Sequence, residues 1–252
     1  MTTALITGAT AGIGAEFARQ LAARGDDLVI VARDAARLAA TAEALHREFG
    51  VHVEALPADL LDPVGLAAVD RRLADDGRPI DLLVNNAGYG IRGELDENSF
   101  DDEKRHLDIH VTVPLQFTQT ALKGMLARGH GRIVLIASVA AFTPRGTYSA
   151  AKAWAVMFAR GPNLVYRTRG VSVTAVCPGF VRTEFHDRMK VSTEGIPSFL
   201  WLQAPQLVRL ALRGVDRGRS VVIPTVRYRV VASLARMLPD LVGAAGQFRS
   251  RD

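Results

Sequence analysis

Ala4-Leu5-Ile6-Thr7-Gly8-Ala9-Thr10-Ala11-Gly12-Ile13-Gly14 is the stretch whose reading decides the fold. A short β-branched run enters three spaced glycines and leaves into Ala15–Arg24, where apolar residues recur at helical spacing. Gly8 permits a tight turn, Gly12 lets the backbone approach a pyrophosphate, and Gly14 allows close helix packing. The helix N-terminus, with Thr10, Ala11 and Ile13 around it, then offers N–H groups and a positive dipole end to phosphates. A lone glycine triplet is a weak signal because turns are rich in glycine. Its place between a strand and a helix gives it weight.

Outward from this motif, short apolar runs recur at Ala4–Thr7, Asp27–Val31, Val51–Ala55, Leu82–Val84, Arg132–Ala137, Val171–Val176 and Ser220–Ile223. Continuous runs of this kind suit strands buried on both faces. Between them lie helical patterns over Ala15–Arg24, Ala35–Phe49, Pro63–Ala74, Glu103–Arg128, Ala150–Thr168 and Ala204–Gly214. Strand and helix in alternation predict one α/β domain of Rossmann type: a doubly wound, mostly parallel seven-stranded sheet with helices on both faces. No repeat or linker divides the 252 residues. About Arg182–Gln203 lacks clear periodicity and follows the sixth strand, so it is expected to act as a lid at the carboxyl end of the sheet, where ligands bind in such folds.

Composition narrows the function classes. The net charge is +5, but the basic residues are scattered and interleaved with Asp and Glu, which predicts a solvated surface and no nucleic-acid partner. Cys177 is the only cysteine, so neither an intrachain disulfide nor a multi-cysteine metal site can form. The six histidines show no metal-ligand spacing, and no metal is expected. The N-terminus runs directly into the glycine motif, leaving no room for an export signal, and a cytoplasmic location is expected. No apolar stretch approaches the roughly 20 residues of a membrane span.

The second predicted strand ends at Arg33-Asp34. In dinucleotide-binding units an acidic residue here takes the ribose 2′-hydroxyl, whereas a nearby arginine accommodates a 2′-phosphate. Arg33 stands first in the loop, where a planar guanidinium can grip a phosphate bidentately, so NADP(H) is the expected cofactor. Asp34 keeps the hydroxyl alternative open.

Further markers follow in order: Asp59-Leu60, Asn85-Asn86-Ala87-Gly88, Ser138, Tyr148-Ser149-Ala150-Ala151-Lys152, and Pro178-Gly179-Phe180-Val181-Arg182-Thr183. With the glycine motif, this set closely resembles the classical short-chain dehydrogenase/reductase family over about Ala4 to Pro224. The resemblance implies that Asp59 and Leu60 meet the adenine and that Asn85, Asn86, Ala87 and Gly88 support the sheet and line the cofactor. It also implies that Pro178, Gly179, Val181 and Thr183 belong to the nicotinamide-binding turn. Ser138, Tyr148 and Lys152 would be catalytic, and Tyr148 and Lys152 would also touch the cofactor. Hydride would pass between the nicotinamide and a small-molecule carbonyl or alcohol. Family members usually pair as dimers or tetramers through the helices here at Glu103–Arg128 and Ala150–Thr168.

The residue types explain themselves chemically. Tyr148 and Lys152 share a helix face. A nearby ammonium is expected to lower the tyrosine pKa from about 10, fitting the phenol for general acid and base work. Ser138 would steady the developing oxyanion. Two departures stand out. His110, in Leu107-Asp108-Ile109-His110-Val111-Thr112-Val113, aligns where the family has an asparagine, and it is expected to replace that residue in connecting Lys152, through water, to solvent. Ser138 and Tyr148 are only ten residues apart, about three fewer than is usual in the family, which implies a wider substrate site. Ile196, Phe199, Leu200, Trp201 and Leu202 would line it, favouring a bulky apolar substrate.

Two other readings follow from the same residues. Without the asparagine, the chain could serve as a cofactor-binding sensor or scaffold with little turnover, though such a protein has no need of Ser138, Tyr148 and Lys152 together. A tail stripe of Val230, Val231, Leu234, Leu238 and Leu241, flanked by Arg227, Arg229 and Arg236, could instead rest on a membrane surface; such stripes more often pack on their own domain or a sister subunit.

Overall fold

The computed structural model describes residues 2–91, 93–144, 146–183 and 197–238. The chain alternates β1 (Thr3–Thr7), α1 (Gly12–Ala22), β2 (Asp27–Ala32), α2 (Ala35–Phe49), β3 (Val53–Pro57), α3 (Pro63–Leu73) and β4 (Leu82–Asn85). It continues with α4 (Phe100–Leu107), a π-helical turn (Asp108–Thr112), α5 (Val113–Arg128), β5 (Gly131–Ile136), α6 (Gly146–Tyr166) and β6 (Val171–Val176). The last elements are α7 (Ala204–Asp216), β7 (Val221–Val222) and α8 (Val226–Met237). The seven strands form one sheet in the order β3-β2-β1-β4-β5-β6-β7. Every pairing is parallel, as in Leu5 beside Val29 and Val84 beside Val134.

Alternate strand residues feed two cores. Ile6, Leu28 and Ile30 join Phe17 of α1, Leu38 of α2 and Leu212 of α7 on one face. Leu5, Val29 and Leu83 join Val69 of α3, Phe117 of α5 and Val156 of α6 on the other. Burying a large apolar side chain of this kind contributes roughly 1.5–3 kcal/mol, so the continuous apolar runs follow from a sheet covered on both sides. The strand order reverses between β1 and β4, and in such sheets the crevice at that reversal is the ligand site.

Three expectations shift. β3 starts two residues later than the apolar run proposed, because Val51 packs beneath the sheet while Val53–Pro57 pairs with β2. The single helix expected over Glu103–Arg128 is two helices joined by the π turn. The tail helix turns Tyr228, Ala232 and Ala235 inward, with Val231 partly buried, and leaves Val230, Leu234 and Leu238 of the proposed stripe exposed. Leu241 lies outside the described residues. Among the described residues no helix is long and apolar enough to cross a membrane.

Candidate active site

The glycine turn is held by the end of β4. Thr7 Oγ1 accepts from the backbone N–H groups of Asn86 and Ala87 at 3.0 Å each, and Asn86 Nδ2 donates to the carbonyls of Thr7 at 2.8 Å and Gly8 at 3.1 Å. Gly8 sits at φ +68°, in the left-handed region. A Cβ on Gly14 would stand 2.3 Å from the Gly8 carbonyl oxygen, so α1 can approach the turn only with glycine there. α1 begins without a side-chain cap and without an acidic residue in its first turn. Its N-terminal N–H groups thus face the crevice, an arrangement that suits a pyrophosphate.

The Arg33-Asp34 pair divides its labour. Asp34 caps α2, accepting from the Arg37 backbone N–H at 2.9 Å, so one carboxylate oxygen is engaged in the helix start. Arg33 is exposed at the end of β2, on the β1–β2 side of the glycine turn. Asp59 is half-buried and accepts from Leu61 N–H at 3.0 Å, whereas the Leu60 side chain is in the core. Any contact of Leu60 with a cofactor is therefore through its backbone. Asn85 is likewise buried, with Nδ2 3.5 Å from Thr118 Oγ1. Pro178 and Val181 are buried beyond β6, Gly179 and Thr183 are half-buried, and a Cβ on Gly12 would lie 3.2 Å from Thr183 Cβ, so the two turns meet across the crevice.

Ser138 lies just beyond β5 in extended backbone and caps a 3-10 turn, accepting from Ala140 N–H at 3.1 Å. Tyr148 enters in the first turn of α6, and Lys152 stands one turn later. Lys152 Nζ is 5.6 Å from the Tyr148 ring centroid, donates to the Ile136 carbonyl at 2.8 Å and lies 3.1 Å from His110 Nδ1. The ammonium thus points past the phenol. Burial pushes the Tyr148 hydroxyl up to about 12 against a hydrogen bond from Ser138, and burial pushes Lys152 down to about 8. The expected lowering of the tyrosine by the ammonium is overturned: desolvation prevails where the charge is directed elsewhere.

His110 comes from the π turn, whose extra residue rotates the helix between α4 and α5. Its Nε2 lies 2.7 Å from the Tyr89 carbonyl oxygen, which can only accept, so Nε2 carries the hydrogen and Nδ1 accepts from Lys152. Burial first, then Lys152 and His106, hold its pKa well below 6.5. The contact with Lys152 is direct rather than through water. The opposite nitrogen ends on a backbone carbonyl, which takes no proton onward. A Cβ on Gly88 would lie 2.2 Å from His110 Cε1, so Gly88 is what makes room for the imidazole.

Sequence reasoning missed His106. It is fully buried one turn before His110, with ring centroids 4.5 Å apart, and it stands 5.9 Å from the Tyr148 ring and 5.8 Å from Tyr89. Neither ring nitrogen has a hydrogen-bond partner; the Tyr89 carbonyl raises its proton affinity but lies outside bonding geometry. Burial, then Lys152, push its pKa down to about 4. Its four-residue spacing from His110, which places both on one helix face, was the available signal.

A family profile for short chain dehydrogenase matches residues 2–193. Oxidoreductase UcpA of Escherichia coli strain K12 is 36% identical over 188 residues, 72% of this chain and 70% of the relative. A short-chain dehydrogenase from Sphingobium yanoikuyae, solved in complex with NADPH, superposes with a TM-score of 0.86 at 35% identity, covering 100% of this chain and 98% of the other. A bulky-bulky ketone specific alcohol dehydrogenase from Comamonas testosteroni superposes with a TM-score of 0.81 at 32% identity, covering 100% and 96%.

Proposed function

The chain belongs to the short-chain dehydrogenase family, and on that premise we propose that it reduces bulky, apolar ketones with NADPH, with Tyr148 as the proton donor. The observation that carries the reading is the convergence of Ser138, Tyr148, Lys152 and His110 beyond the carboxyl ends of β4 and β5. NADPH, when bound, supplies the hydride. With its hydroxyl pushed up to about 12, Tyr148 is protonated at neutral pH and ready to give a proton to the oxygen that becomes the alcohol. Ser138 donates toward the same oxygen, and Lys152, held by His110 and Ile136, stands beside the phenol as the cation that binds the nicotinamide ribose in the family.

Preference for NADPH is supported by Arg33 and by the capping duty of Asp34, and the Sphingobium relative was solved with that cofactor. Bulk and apolarity are supported by the short connection from Ser138 to Tyr148, by Phe142, Phe180, Phe199 and Trp201 along it and the turn beyond β6, and by the Comamonas enzyme's own preference. Residues 184–196 of the expected lid, Ile196 among them, lie outside the described residues, and Leu202, also proposed to line the site, is buried in the core. We further expect a homodimer or homotetramer of cytoplasmic location.

The test is a screen of the purified chain against ketones with two large substituents, small ketones and acyl thioesters, following NADPH absorbance. The expected result is the highest kcat/KM for the bulky ketones, and higher with NADPH than with NADH. A preference for NADH or for small ketones overturns the corresponding part, and NADPH binding without any turnover leaves a sensor or scaffold.

A further inference from the structure

The tail helix α8 bears on the site through one side chain that no step of the proposed reaction uses. Tyr228 is 2% exposed. Its hydroxyl donates to the Leu200 carbonyl at 2.7 Å and accepts from the Phe180 backbone N–H at 3.0 Å. Its ring lies flat against Gly179, where a Cβ would stand 1.9 Å from Cζ. One phenol therefore grips the chain where it leaves β6 and where it returns 20 residues later. The two segments also pair directly, with Leu202 N–H donating to the Phe180 carbonyl at 2.8 Å and Arg182 N–H to the Leu202 carbonyl at 3.1 Å. At the far end of α8, the Arg236 guanidinium lies 4.3 Å from the Phe142 ring, in the turn that follows Ser138. The helix thus touches both sides of the crevice.

We infer that Tyr228 is a positioning residue, a latch that fixes the spacing between the Pro178-Gly179-Phe180 turn and the apolar Phe199-Leu200-Trp201 segment and so sets the width of the substrate slot. The inference rests on the ketone-reductase reading for its kinetic consequence, though not for its geometry. A phenylalanine would fill the same space, so packing does not explain the hydroxyl. What the hydroxyl adds is one hydrogen bond to the main chain of each segment, accepted from Phe180 N–H and donated to the Leu200 carbonyl. The contact with Gly179 is equally specific, because any side chain there displaces the ring.

Tyr228→Phe in the full chain keeps the ring and removes the latch. Amide hydrogen exchange at Phe180 is expected to accelerate about tenfold, and KM for a bulky ketone to rise about five- to tenfold, the worth of a buried hydrogen bond. In the same variant kcat, NADPH affinity by fluorescence and the pH profile are expected to stay within about twofold of wild type, since Ser138, Tyr148 and Lys152 are untouched. Gly179→Ala, which pushes the phenol off both carbonyl and N–H, is expected to raise exchange and KM likewise. Wild-type exchange together with wild-type KM in Tyr228→Phe overturns the latch. So does a fall in melting temperature with kcat and KM disturbed alike, the mark of general loosening. If wild-type protein turns over no ketone, the functional reading fails while the exchange measurement still decides the latch.

Discussion

At Lys152 two demands oppose each other. Burial drives the ammonium toward its neutral form, with a pKa down at about 8, while His110 Nδ1 and the Ile136 carbonyl accept its protons. Because kcat/KM reports the free enzyme, ketone reduction is expected to fall as pH rises through about 8. His110→Ala removes an acceptor of the ammonium and is expected to move that limb to lower pH, whereas His110→Asn, which can still accept, keeps it near wild type. An unmoved limb in His110→Ala would take His110 out of the site's chemistry. Gly88 and His110 are coupled by volume. Gly88→Ala is expected to cost about 1–3 kcal/mol by overpacking against the imidazole, and His110→Ala in the same chain to recover much of it, read by denaturant unfolding as a double-mutant cycle. His106 adds an acid limit. Its folded pKa of about 4 lies below the ordinary 6.5, so its contribution is present above about 6.5 and lost as pH falls through 4. Substituting His106→Leu should flatten the loss of melting temperature over that window. A curve parallel to wild type would assign the loss to other groups.

Among the elements, α2 separates two roles that adjacent residues leave ambiguous in sequence. Asp34→Ala removes the cap and is expected to lower stability by about 1 kcal/mol while leaving the NADPH-to-NADH ratio intact. Arg33→Ala should do the reverse, weakening NADPH use by about 1.5–3 kcal/mol while sparing NADH. Unfolding curves and kcat/KM for both cofactors separate the outcomes. The strands were legible because a parallel sheet covered on both faces writes itself as apolar runs, and the glycine turn because Gly8 and Gly12 take positive φ and a Cβ on Gly14 would meet the Gly8 carbonyl. The π turn was not. Its phase change depends on Val113 N–H reaching back to Asp108, a bond that no residue type in Asp108–Thr112 announces. α8 was legible as a helix but not in its orientation. Tyr228, whose ring and hydroxyl dock on backbone, outweighs the stripe of Val230 and Leu234 in choosing the inward face.

Across the whole molecule, the ordered motifs converge because the strand order brings the ends of β1, β4, β5 and β6 side by side. That adjacency joins Thr7 to Asn86 and Lys152 to His110, pairs that lie far apart in sequence. The outer faces of α5 and α6 leave Leu115, Met157, Leu164 and Val165 exposed, which favours pairing of copies there. Light scattering at micromolar concentration is expected to give a dimer or tetramer, and Leu164→Glu to reduce its mass; a wild-type monomer would refute the assembly. The most direct test of the account follows a label. NADPH carrying deuterium at the transferring position is mixed with a bulky apolar ketone, and the alcohol is weighed by mass spectrometry for wild type and Tyr148→Phe. The account expects one deuterium on the carbinol carbon with the wild-type protein and almost no product with Tyr148→Phe. An alcohol without deuterium, or equal yields from the two proteins, would contradict it.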